Sequence, residues 1–200
     1  MKKNIQLFLF LAMGITFIAC ESEYSKTVKN ELQTGVVHED LILGLKLGQT
    51  QKDFYDHCWQ LNKQKLVSQG SGNKFAKHFM LLDSTAQNPE KVEMLFYGIF
   101  DEAKVMHGMH MKFSYVAWAP WNKQYQSGIL IKKLQEKYLR DYGGNPFIEI
   151  IVNKDVKAYT KIDGNREILI YPNTAKEVTV KMEDLRYKLK GKIAGINQNE

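Results

Sequence analysis

The residues best suited to chemistry sit in one hexapeptide, Met106-His107-Gly108-Met109-His110-Met111. Thioether and imidazole groups are soft to borderline ligands that suit Cu(I). On a strand, His107, Met109 and Met111 share a face while His110 points away, because side chains alternate. Val105, Phe113 and Tyr115 fall on the same face, so packing is the first reading and copper handling the alternative. A His-x-x-His zinc pair needs a helix to bring both rings together, and this segment alternates like a strand.

Cys58 is a second candidate, with His57 or another histidine as a base. A catalytic thiol needs partial exposure and an electropositive setting. Cys58 instead falls at the centre of an apolar helical stripe between Phe54 and Leu61, and His57 points about 100° away from it. A core cysteine is expected. Ser71 and Lys74 match the spacing of serine acyl enzymes, but that motif belongs at a helix start with companion motifs. Here it lies in a Gly-rich turn, and S-D-N and K-T-G are absent. No nucleophile elbow, zinc-protease helix, Walker loop or dinucleotide glycine motif occurs. No catalytic residue, cofactor or resident metal is expected, and the chain reads as a non-enzyme.

Tyr115, Trp118, Trp121 and Tyr125 concentrate aromatic rings around one loop. Trp and Tyr serve as interface anchors and stack on sugars. Pro120 fixes its own φ and restricts Ala119, so the loop should hold a defined shape. These four residues are the candidate partner-binding surface; folding down to close the core is the competing role.

Periodic elements must position these groups. Thr50-Gln51-Lys52-Asp53 is a capping-box pattern, followed by a helix over about 51–62. Strands are expected over 65–69, 74–82, 92–100 and 104–116, then a second helix over about 124–142 ended by Gly143-Gly144. Further strands follow over 147–152, 156–162, 166–171 and 177–187, with Asp163-Gly164 as a hairpin turn. Alternation in the last strand changes phase at Glu183-Asp184, which predicts a bulge. The fold class is therefore α+β: an antiparallel sheet with helices on one face, built as two helix-then-strands units in tandem.

The chain has 200 residues, 44% of them hydrophobic and 12% aromatic, which supports a packed core and excludes wholesale disorder. Only one apolar run approaches membrane length, at residues 5–18, so a multi-span membrane protein is excluded. That run follows Lys2-Lys3 and precedes Phe17-Ile18-Ala19-Cys20, which resembles a bacterial lipoprotein box. The resemblance implies cleavage before Cys20 and acylation at Cys20, with palmitate-like chains anchoring the protein to the outer membrane, on the periplasmic face or the cell surface. Each buried methylene contributes about 0.8 kcal/mol, so several chains anchor stably. If Cys20 carries lipid, Cys58 has no intramolecular partner. Net charge is +6, and +4 once Lys2 and Lys3 leave with the leader. An envelope location removes nucleic acid as a partner. Arg186, Lys188, Lys190 and Lys192 read as a solvated tail, with attraction to anionic lipid headgroups or glycans as the alternative.

Leu43-Gly44-Leu45-Lys46-Leu47-Gly48-Gln49-Thr50, running into Phe54, resembles the opening turn and capped helix of the SmpA/OmlA family. Those are small outer-membrane lipoproteins that support outer-membrane protein assembly. A helix-then-sheet unit in tandem is also similar to the beta-lactamase-inhibitor-protein fold. Glu21 and Glu23 behind Cys20 resemble surface-export signals of Bacteroidota lipoproteins, and the whole chain resembles lipoproteins of that group. The expected organisation is a signal peptide over 1–19 and a polar tether over 20–40. An α+β domain over 41–187 follows, with halves near 41–116 and 117–187, and then a basic, polar tail over 188–200. The expected function is a lipid-anchored envelope module that binds a protein or glycan. The alternatives are a Met/His copper-handling protein and an envelope enzyme without a known motif.

Overall fold

The computed structural model describes residues 22–70, 72, 74–82, 90–152 and 155–190. Helix α1 (Glu23–Gln33) comes first, and Ser22 caps it by accepting from the Ser25 amide at 3.1 Å. This corrects the expectation of a bare tether over 20–40. Tyr24, Val28 and Leu32 recur every four residues and pack against Ile162, Leu185 and Leu189. The apolar stripe is only one residue wide, so the polar composition around it hides the helix.

Helix α2 (Gln51–Lys63) forms as the capping box predicts. Thr50 Oγ1 accepts from the Asp53 amide at 3.1 Å, and Asp53 Oδ2 accepts from the Thr50 amide at 3.3 Å. Four strands follow: β1 (Val67–Gln69), β2 (Ala76–Leu81), β3 (Lys91–Phe100) and β4 (Met106–Tyr115). A 3-10 turn at Lys123–Tyr125 leads into α3 (Ser127–Tyr142), which Gly143 terminates at φ 60°. Strands β5 (Ile148–Val152), β6 (Val156–Asp163), β7 (Arg166–Pro172) and β8 (Val178–Asp184) complete the sheet.

All eight strands form one antiparallel sheet in the order β1-β2-β3-β4-β8-β7-β6-β5. Each half is a helix followed by a four-stranded meander, and the halves join where their last strands pair. There Met109 faces Met182, Met111 faces Val180 and Phe113 faces Val178. These residues lie on the sheet face that α2 and α3 cover, and they form the centre of the core. The α+β class read from the sequence is the class observed. Ile162 alternates with Lys161 and points to the opposite face, so α1 and the short helix α4 (Leu185–Lys188) lie there instead.

The bulge expected at Glu183-Asp184 does not form. Strand β8 ends at Asp184, whose side chain accepts from the Arg186 amide at 2.9 Å and caps α4. The phase change between Met182 and Leu185 is therefore a strand-to-helix junction. A register shift occurs elsewhere: Ile99 pairs with Gly108 but Phe100 with Met106, which leaves His107 unmatched.

Candidate functional site

The aromatic loop divides into buried and presented rings. Tyr115 is fully buried, its ring tilted by 41° against that of Tyr125 at 5.0 Å, and burial pushes its hydroxyl above the ordinary tyrosine range. It is core, which corrects its assignment to a partner surface; its place on the inward-facing register of β4 is the reason. Tyr125 packs against the same core. Trp118 is half-buried, and its Nε1 donates to Gln126 Oε1 at 3.4 Å. Gln126 then braces the loop: its Nε2 donates to the Ala119 and Asn122 carbonyls at 3.1 and 2.9 Å, and to the Pro120 carbonyl at 3.4 Å. On this braced turn Trp121 is 84% exposed.

The Met/His segment does not assemble as one set. Met109 and Met111 are fully buried, and the Tyr138 hydroxyl donates to Met111 Sδ at 3.9 Å. The unmatched position at His107 breaks the expected alternation, and this ring stacks at 3.8 Å on Tyr187 of α4. His110 lies on the other sheet face, bonded to the Tyr97 hydroxyl. Burial, with Lys181 and Lys112 adding to it, holds its pKa below the usual value. Among the described residues no three His, Cys, Asp or Glu side chains gather to hold a metal.

Cys58 is half-buried, and burial pushes its thiol up to about 11. His57 Nε2 instead bonds the Leu43 carbonyl at 2.8 Å, so the two do not form a nucleophile and base. Ser71 and Cys20 lie outside the described residues. The basic tail begins with paired rather than free charges. Arg186 reaches Asp184 at 2.6 Å, and Lys188 Nζ reaches Glu167 at 2.5 Å and Glu183 at 3.2 Å. Lys190 is exposed, and Lys192 lies outside the described residues.

Two further constellations escaped the sequence. The first surrounds the β6–β7 turn. Lys161 is fully buried, its Nζ donating to Asp163 Oδ1 at 2.8 Å and to the Asn145 carbonyl at 2.7 Å. Arg166 lies 4.2 Å over the Tyr142 ring and donates to the Asp40 carbonyl at 3.1 Å. The Glu31 carboxylate accepts from Asn145 Nδ2 at 2.7 Å and from the Gly164 amide at 2.8 Å. The His38 amide donates to Asn165 at 2.6 Å. Gly144 and Gly164 have positive φ, and a Cβ there would stand 2.2 Å from Asp163 and 2.3 Å from the Val36 carbonyl. These contacts clamp the 31–40 segment onto the second meander, and every polar group except a few is spent on the clamp itself. Its role is structural.

The second is a groove of about 430 Å³ between α2 and strands β1–β3. Phe54, Phe96 and Phe100 are among the residues around it, with the Phe54 and Phe100 rings in edge contact at 5.5 Å. Gly98 permits this: a Cβ there would stand 2.7 Å from Phe100. Cys58 lines the groove from the helix and Ala76 from the sheet. Ser68, Gln69 and Lys74 of the β1–β2 hairpin also line it. Tyr55 and Trp59, both 59% exposed, stand on its rim. No signal in the sequence announces this space, because Cys58, Ala76 and Gly98 are brought together only by strand register. Among the described residues no helix is long and apolar enough to cross a membrane. Comparison of the chain with protein-family models, with curated proteins and with solved structures finds no match in any of the three.

Proposed function

We propose that the chain is a non-enzymatic cell-envelope module, anchored to the outer membrane through lipid on Cys20, that binds a protein partner through the 118–121 loop. The observation that carries this reading is Trp121, a large apolar ring 84% exposed on a loop held by four hydrogen bonds to one side chain, Gln126. A rigid aromatic anchor loses little entropy when a partner covers it, which is the property of a binding hot spot.

The test takes Trp118→Ala and Trp121→Ala in the full chain and measures the unfolding midpoint beside partner recovery from native membranes. Trp121→Ala should keep its stability within about 0.5 kcal/mol. It should also weaken partner recovery by more than about 2 kcal/mol, a loss of roughly thirtyfold. Trp118→Ala should mainly lower the midpoint, since its ring packs against the core. Unchanged recovery with Trp121→Ala defeats the partner reading. In the same cells, Cys20→Ala should leave the membrane fraction and lose fatty-acid label; continued labelling defeats the anchor.

A further inference from the structure

Strand register carries one sheet face from α1 across to β2. Ile162, which packs on α1, lies opposite Glu167, Glu167 opposite Glu183, Glu183 opposite Gly108, and Gly108 opposite Ile99. Alternation along β3 puts Leu95 and Tyr97 on this face with Ile99, and the pairing of Leu95 with Lys77 adds Lys77, Phe79 and Leu81 of β2. One end of the face is covered, because α1 packs on β6 and on α4. The other end is open. Phe79 and Leu81 are 42% and 44% exposed, and Leu95, Tyr97 and Ile99 are half-buried. The water-facing side of an antiparallel sheet is ordinarily polar, so apolar residues gathered here mark a contact surface.

The open end is also cationic. Lys77 and Lys91 hold their ammonium groups 5.4 and 4.4 Å from the centre of the Phe79 ring, and Lys181 stands opposite His110 further along the face. Among the described residues these three lysines form no ion pair. Of the carboxylates on the face, Glu167 and Glu183 are held by Lys188, and Glu93 lies opposite Phe79. Helix α1 decides what meets this surface. It is fastened to the same face by Val28, against Ile162 and Leu185, and by Glu31 on the Gly164 amide. From its cap at Ser22 back to Cys20 the chain is two residues, a reach of at most about 7 Å. A free tether over 20–40 would reach about 70 Å.

We infer that the open face of the first meander rests on the bilayer that holds the anchor, with Phe79 and Leu81 among the headgroups and Lys77, Lys91 and Lys181 at lipid phosphates. The inference rests on lipid at Cys20, as proposed above. Lysine stems lie along apolar surface while their ammonium groups reach polar ones, which is the arrangement a headgroup layer accepts. Helix α3 covers the opposite sheet face, so Lys132, exposed on it, points away from the bilayer.

The lipidated protein is purified from its membranes and held in vesicles of phosphatidylcholine and phosphatidylglycerol in equal parts. A membrane-impermeant acetylating ester is added, and the rate at each lysine is read by peptide mass and compared with that in lipid-free Cys20→Ala. A face covered nine-tenths of the time should slow acetylation of Lys77 and Lys91 about tenfold, with Lys132 unchanged. Val28→Asp places a charge in the α1 contact and should release the helix, seen as protease cleavage within 34–40. The rates at Lys77 and Lys91 should then return to those of the lipid-free chain while the protein still sediments with the vesicles. Equal slowing at Lys132 overturns the inference. So does unchanged acetylation of Lys77 and Lys91, or undiminished slowing once α1 is released. Protein that fails to sediment with the vesicles at all defeats the anchor at Cys20, and the inference with it.

Discussion

Helices α2 and α3 each cover a four-stranded antiparallel meander, yet they do so differently. Helix α3 buries Leu130, Ile131, Leu134 and Tyr138, a continuous stripe of large side chains over β4, β7 and β8. Helix α2 buries only Phe54 and Leu61, with small Cys58 between them, and leaves Tyr55 and Trp59 in water. A stripe of large residues closes onto a sheet; a stripe with a small residue at its centre bridges it and leaves space below. The same supersecondary unit thus gives a sealed core on one side and a lined groove on the other. The sealed side is closed by large side chains, and the open side keeps a space lined by Cys58, Ala76 and Gly98.

This contrast can be broken most sharply by truncation. Leu134→Ala removes a fully buried side chain of α3 and should cost about 2–5 kcal/mol in denaturant unfolding. Trp59→Ala, on the matching exposed side of α2, should stay within about 0.5 kcal/mol. Comparable losses at both sites would show that α2 packs as tightly as α3.

Capping offers an intermediate effect. Thr50→Ala deletes the hydroxyl arm of the α2 capping box, leaving the residue-50 amide to donate to Asp53, and should cost about 1 kcal/mol. Gln126, in the same position before α3, makes no cap bond and instead braces the Trp loop. Gln126→Ala should therefore leave helix stability almost untouched while increasing protease cleavage between residues 118 and 122. A stability loss matching that of Thr50→Ala would reassign Gln126 to the helix.

The smallest effect is in pH. Burial raises the Cys58 thiol from 9.0 to about 11 in the folded protein. Between those values the unfolded chain has released the proton that the folded chain still holds, so stability falls as pH rises through this window. The wild-type midpoint should decline more steeply there than that of Cys58→Ala. Parallel curves would mean that the groove leaves the thiol fully hydrated.

The strands and the two large helices were legible because each follows one strong period: alternation on the strands, and a capped apolar stripe on α2 and α3. Helix α1 was not, since Tyr24, Val28 and Leu32 recur correctly but stand alone among polar neighbours. The junction at Asp184 looked like a bulge because a strand-to-helix change also shifts the apolar phase. Of the candidate site, the sequence marked the aromatic loop but not which ring faces out; Trp121 is the exposed one, whereas Tyr115 belonged to the strand alternation already noted for β4. The slip at His107 and the meeting of Cys58 with Ala76 and Gly98 depend on register between distant strands. A single sequence contains no local mark of register. The buried charges Lys161, Asp163 and Arg166 were hidden for a similar reason: their spacing reads as an ordinary polar hairpin.

The pairing of β4 with β8 also sets an order of assembly. Strand β4 emerges at the middle of the chain, but its outer neighbour is the last strand made. Until β8 arrives, the first meander carries an open hydrogen-bonding edge bearing Met109, Met111 and Phe113 on one face. Closing the seam is a long-range contact with a high loop-closure cost, so the final strand completes both halves at once. The chain consequently has no stage at which its first half is finished, and truncation before β8 would leave a ready template for aggregation.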